Sequence, residues 1–87
     1  MTDIKVKYDT DADVLYLALG SPVPASTDED DDGLLVRYAL DDGHPCGVTV
    51  LGYRGWRKNL NKLSQLVGGH LHVRPLDVAH AIEASRL

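Results

Sequence analysis

Apolar residues recur at every second position as far as Leu51 and at every third or fourth position beyond Gly52. A period of two belongs to strands and one near 3.6 belongs to helices, so the chain must be a sheet followed by helices. This is an α+β arrangement, in which the two kinds of element occupy separate stretches of sequence. Eighty-seven residues suit a single domain, with 1–53 as a β-meander and 54–87 as a helical tail that packs on the sheet or on a partner subunit.

Ile4, Val6 and Tyr8 alternate with Lys5 and Lys7, the pattern of a strand with one face in water. Asp9-Thr10-Asp11-Ala12-Asp13 is a turn by chemistry, because short carboxylates bond nearby amides and tolerate unusual dihedrals. The run Val14-Leu15-Tyr16-Leu17-Ala18-Leu19 is apolar on both faces, which predicts a central strand covered on both sides. Residues 21–33 carry Pro22, Pro24 and the acid run 28–32, and they predict a solvated loop with a short edge strand near 25–27. Leu34–Leu40 alternates again, Asp41-Asp42-Gly43 supplies a hairpin turn, and Cys46–Leu51 returns. The expectation is an antiparallel meander of about four strands followed by two short C-terminal helices.

In the tail, Trp56, Leu60, Leu63 and Val67 fall on one helical stripe, with Leu66 beside them and Gly68-Gly69 as the predicted stop. Residues 70–74 read as partly extended. Pro75 suits the first turn of a second helix in which Leu76, Ala79 and Ile82 share a face. Asp77 near its start and Arg86 near its end complement the helix dipole.

Charge is divided along the chain. Residues 1–43 hold eleven acids against three bases, and 44–87 hold two acids against six bases. Opposite signs favour packing of the halves on each other, within a chain or between copies. The net charge of -4 opposes binding to nucleic acid or to an anionic membrane. One cysteine, Cys46, allows no intrachain disulfide, and the opening residues lack the apolar core of a signal peptide, so a cytoplasmic location is expected.

The stretch Tyr8-Asp9-Thr10-Asp11-Ala12-Asp13-Val14-Leu15-Tyr16 resembles the signature opening of the bacterial "domain of unknown function 2283" family. Gly33–Tyr38 and Asp42–Leu51 resemble its second half, so the likeness covers about residues 4–51. It implies a small β-meander of no established activity, with an antitoxin-like role for some members. The sequence departs from the family at Thr49, where an acid is common, and in the tail beyond Tyr53.

Candidate sites reduce to few. Asp9, Asp11 and Asp13 are spaced like the first ligands of a calcium loop, but that loop needs glycine where Val14 stands and glutamate where Gly20 stands. Asp9 and Asp13 are therefore read as structural turn residues. His44, Cys46, His70 and His72 lack the close pairing of a zinc site, and His80 with Asp77 or Glu83 lacks a visible nucleophile. No metal or cofactor is expected. Arg54, Trp56, Arg57 and Lys58 are the candidate interaction residues, within an Arg54–Lys62 segment that interleaves aromatics with bases.

These features point to a non-enzymatic protein-interaction module, homo-oligomeric, whose partners are a second copy or a small basic protein such as a toxin. The alternatives are a nucleic-acid binder using Arg54–Lys62 and a small metal-dependent hydrolase. The core motivates the first reading, since so short a chain buries only about 60 to 65% of its unfolded surface.

Overall fold

The computed structural model describes residues 3–85. Five strands, β1 (Ile4–Asp9), β2 (Val14–Leu19), β3 (Ala25–Glu29), β4 (Leu35–Ala39) and β5 (Pro45–Leu51), precede the helices. A helical turn α1 (Tyr53–Trp56) and a 3-10 segment (Arg57–Asn59) lead into α2 (Leu60–Leu71) and α3 (Pro75–Ala84). The α+β antiparallel architecture is as expected, with five strands in place of about four. The extra strand is β3, which extends the edge segment foreseen at 25–27 into the acid run.

All strand pairs are antiparallel, in the order β1-β2-β5-β4-β3. Two hairpin units, β1-β2 and β3-β4-β5, are joined where β2 pairs with β5, Leu15 opposite Val50 and Leu17 opposite Val48. Those four side chains are buried and meet Leu63, Val67, Leu71, Val78 and Ile82 from the helices. Each fully buried Leu or Val contributes about 1.5–3 kcal/mol, so this layer between sheet and helices is the main source of stability.

Only one face of the sheet is covered. The expectation that β2 is shielded on both sides is corrected: Tyr16 is 42% exposed and Leu51, on the same face, is 51% exposed. Both long helices carry their apolar stripes to the opposite face, and no other helix among the described residues covers this one.

The helices also depart from the sequence reading. Gly68-Gly69 does not stop the first helix, which runs on to Leu71 and ends with His72 in the left-handed region at φ 57°. The N–H groups of His72 and Val73 both turn back to the carbonyl of Gly68. Gly68 is needed for close approach, because a Cβ there would lie 2.7 Å from the Val73 carbonyl oxygen and 3.2 Å from the Pro75 nitrogen. Residues 70 and 72 therefore share no extended face.

In α3 the buried residues are Val78 and Ile82, one turn apart, while Leu76 is 58% exposed. Pro75 opens that helix, and Asp77 in its first turn is gripped by Arg74 through two bonds of 3.0 Å. Arg86 lies outside the described residues.

The two glycines of α2 separate by substitution. Nothing lies within 4 Å of a Cβ built on Gly69, so Gly69→Ala should raise stability by up to about 1 kcal/mol through helix propensity. Gly68→Ala should lower it by roughly 1–3 kcal/mol through overpacking. Urea unfolding followed by circular dichroism measures both.

Candidate interaction surface

Reversing the chain between β1 and β2 leaves amides that need acceptors. Asp9 supplies one oxygen to the N–H groups of Asp11 and Ala12, each at 3.1 Å. Asp13 takes the left-handed conformation, φ 56°, which a short polar side chain tolerates. That turn aims its carboxylate back along β1 and its carbonyl toward the end of β5.

The Tyr8 hydroxyl donates to Asp13 Oδ1 at 2.6 Å, and the Arg54 N–H donates to the same carboxylate at 3.1 and 3.3 Å. The Asp13 carbonyl accepts from Gly52 at 2.9 Å and Tyr53 at 3.2 Å. The Arg54 guanidinium donates to the Thr10 carbonyl at 3.0 Å, and the Tyr8 and Tyr53 rings meet edge to face at 5.3 Å. One aspartate thus binds the first hairpin to the start of the helical tail. The hydrogen bond from Tyr8, then that of the Arg54 N–H and the charges of Arg54 and Arg57, hold the Asp13 carboxyl below its usual range against the opposing effect of desolvation. The same bond raises the Tyr8 hydroxyl.

This junction divides the four candidate interaction residues. Arg54 is engaged with the turn, and Trp56, half-buried, packs against the core. Arg57 and Lys58 are exposed. A shallow hollow of about 340 Å³ is lined by Gly52, Gly55, Trp56, Asn59 and Lys62, so Trp56 is grouped with Lys62 and not with the three other candidates.

The acid run is not uniformly solvated. Asp30 Oδ1 accepts the N–H groups of Asp32 at 2.9 Å and Leu34 at 2.8 Å, and its other oxygen lies 2.5 Å from His70 Nε2 on α2. Burial pushes the Asp30 carboxyl up, but the bonds from Leu34, His70 and Asp32 outweigh it and leave it below its usual range. No short-range pattern could have paired residues forty positions apart.

Among the described residues, one group of three ligand-capable side chains converges: Asp41, Asp42 and His44, all exposed at the β4-β5 hairpin. The Asp41 and Asp42 carboxylates already accept turn amides, at 2.7 and 3.1 Å, and Asp42 also pairs with the His44 ring. The His44 amide and ring hold Asp42 below its usual range. Cys46 is a buried free thiol, and Asp77 is held by Arg74 instead of forming a pair with His80. Between α2 and α3 a groove of about 300 Å³ includes Leu60, Leu76 and the buried Ser64, whose hydroxyl has no partner.

The uncovered sheet face is a further surface feature. Register places Val14, Tyr16 and Ala18 of β2 beside Leu51, Thr49 and Gly47 of β5, with Leu35 and Arg37 of β4 next to the last two. Exposed Lys5 and Lys7 border it at β1, and exposed Thr27 and Glu29 at β3. The apolar character of these strands is written in the sequence, but which face stays open is not. Period-two patterning cannot tell where helices will land.

A family model described as "Protein of unknown function (DUF2283)" matches residues 5–54. No curated protein matches the chain, and no solved structure does. The matched stretch spans Tyr8, Asp13 and the Arg54 amide that closes the junction, and it stops before α2 and α3.

Because Tyr8 and Arg54 act through one carboxylate, Asp13→Asn and Tyr8→Phe should each lower the melting temperature, and the double variant should lose clearly less than the two losses added. Thermal unfolding of the four proteins measures the coupling. A carboxyl depressed in the fold takes up protons more readily once unfolded, so its stabilisation is complete above the ordinary carboxylate value. It is lost as pH falls through the depressed one. Stability should therefore decline below about pH 4, with a shallower decline in Asp30→Asn, as urea midpoints across the acid range will report.

Proposed function

This chain belongs to the DUF2283 family of proteins of unknown function, and from that premise we propose a non-enzymatic protein-interaction module that self-associates through its uncovered sheet face. The observation that carries this reading is Tyr16 and Leu51, 42% and 51% exposed in the middle strands of the sheet. Antiparallel sheets that face water on one side ordinarily alternate apolar and polar residues. Here the same face of β2 carries buried Val14, Tyr16 at 42% exposure and half-buried Ala18, an apolar set that suits contact with another protein surface.

The polar groups support the same reading. Asp13, Asp30 and Asp77 are each engaged in holding a turn or a helix start; the Asp30–His70 pair lines an open hollow of about 400 Å³, but no serine, threonine or cysteine lines it to serve the hydrolase alternative as a nucleophile. With Arg54 bonded to Thr10 and half-buried Trp56 packed against the core, the nucleic-acid alternative retains Arg57, Lys58 and Lys62 as its exposed bases in that segment. Exposed Asp28, Glu29, Asp31 and Asp32 at the β3 edge suit the narrower version, an antitoxin-like contact with a small basic protein. A buried free thiol and the absence, among the described residues, of any helix long and apolar enough to cross a membrane fit work in the cytoplasm.

Sedimentation at tens of micromolar should give a mass above the 9.5 kDa of one chain, and Tyr16→Glu should return it to a folded monomer. A wild-type protein that stays monomeric throughout that range rejects self-association.

A further inference from the structure

Resting on the reading that a second copy covers this face, we infer that the two copies are related by a two-fold axis running along β5, so that Lys7 of each lies over the partner's Glu29. The inference comes from one row of the sheet. Register sets Lys7 opposite Tyr16, Tyr16 opposite Thr49, Thr49 opposite Leu35 and Leu35 opposite Glu29. Paired residues share a face, and Lys7 alternates with core-packed Val6 and Tyr8 while Leu35 alternates with core-packed Leu34 and Val36. All five therefore belong to the open face, in a line that begins with a cation, ends with an anion and is uncharged between.

Such a row is complementary to itself in one sense only. A two-fold axis perpendicular to the strands lays β1 on β1 and β3 on β3, which sets Lys5 and Lys7 against their own copies and Glu29 against Glu29. An axis along the central strand, β5, exchanges the edges. It places each Lys7 over the partner's Glu29, each Tyr16 over the partner's Leu35, and Thr49 over itself with no like charge on the axis. Sheets packed face to face lie about 10 Å apart, a gap that a lysine and a glutamate together can span at the rim. Closed two-fold pairing is also the commonest arrangement of identical subunits.

Patch size sets the strength. Five strands about 4.8 Å apart and about 20 Å long present roughly 500 Å² per copy, at the small end of specific interfaces. The dimer should therefore be reversible, with dissociation in the micromolar range.

Sedimentation equilibrium of wild type, Lys7→Glu, Glu29→Lys, the double variant and an equimolar mixture of the two single variants tests the arrangement, with circular dichroism establishing that each is folded. Each single variant replaces two attractions by two repulsions and should weaken dimerisation about tenfold. The double variant and the mixture should recover to within about threefold of wild type, and no species should exceed a dimer. If wild type associates but the single variants match it, or fail to rescue each other, or if larger assemblies form, the two-fold arrangement is overturned while the open face remains the contact. A monomeric wild type rejects the earlier reading itself.

Discussion

The fold depends on the junction at Asp13. A sheet of two hairpin units has two faces on which a helical tail could lie, and the choice is made where the chain leaves β5. There the Asp13 carbonyl receives the amides of Gly52 and Tyr53, its carboxylate receives that of Arg54, and the Tyr8 hydroxyl closes the set. Gly52, in the left-handed region at φ 67°, allows the change of direction. The bonds from Tyr8 and Arg54 draw their strength from a charged acceptor, and the whole set holds the first helical turn against the β1-β2 end.

From that point the two faces of the sheet acquire different chemistry. On one, Leu15, Leu17, Val48 and Val50 are sealed beneath α2 and α3. On the other, Tyr16 and Leu51 stay in water, with no described element laid over them. A protein this small has little core to spare, so the open face is both a cost to the isolated chain and the surface on which association would do most. The border of lysines at one edge and acids at the other adds direction to a surface that would otherwise bind without orientation.

Charge has a second use inside the molecule. Of the clustered acids, Asp30 turns inward to cap its own hairpin and meet His70, and Asp13 holds the Arg54 amide at the start of the tail. The opposed signs of the two halves are thus partly satisfied within one chain, while Asp28, Glu29, Asp31 and Asp32 keep the β3 edge acidic and discourage further strands from adding to it. The resemblance seen in the Tyr8–Tyr16 motif acquires a physical meaning as well. Its first tyrosine, Tyr8, and third aspartate, Asp13, form the lock between sheet and tail.

Much of this was legible in the residues alone. Alternation in Ile4–Tyr8 and Leu34–Leu40, the turns at Asp9–Asp13 and Asp41–Gly43, Pro75 at a helix start and the change of period after Gly52 are local consequences of backbone geometry, and local sequence is enough to specify them. What tertiary structure decided is where the elements lie relative to one another: that β2 pairs with β5, that Gly68 serves close contact instead of ending a helix, that Val78 and not Leu76 is buried, that Asp30 meets His70, and that one face of the sheet is left bare. These depend on contacts between residues distant in sequence, and periodicity carries no record of which surface its partner will approach.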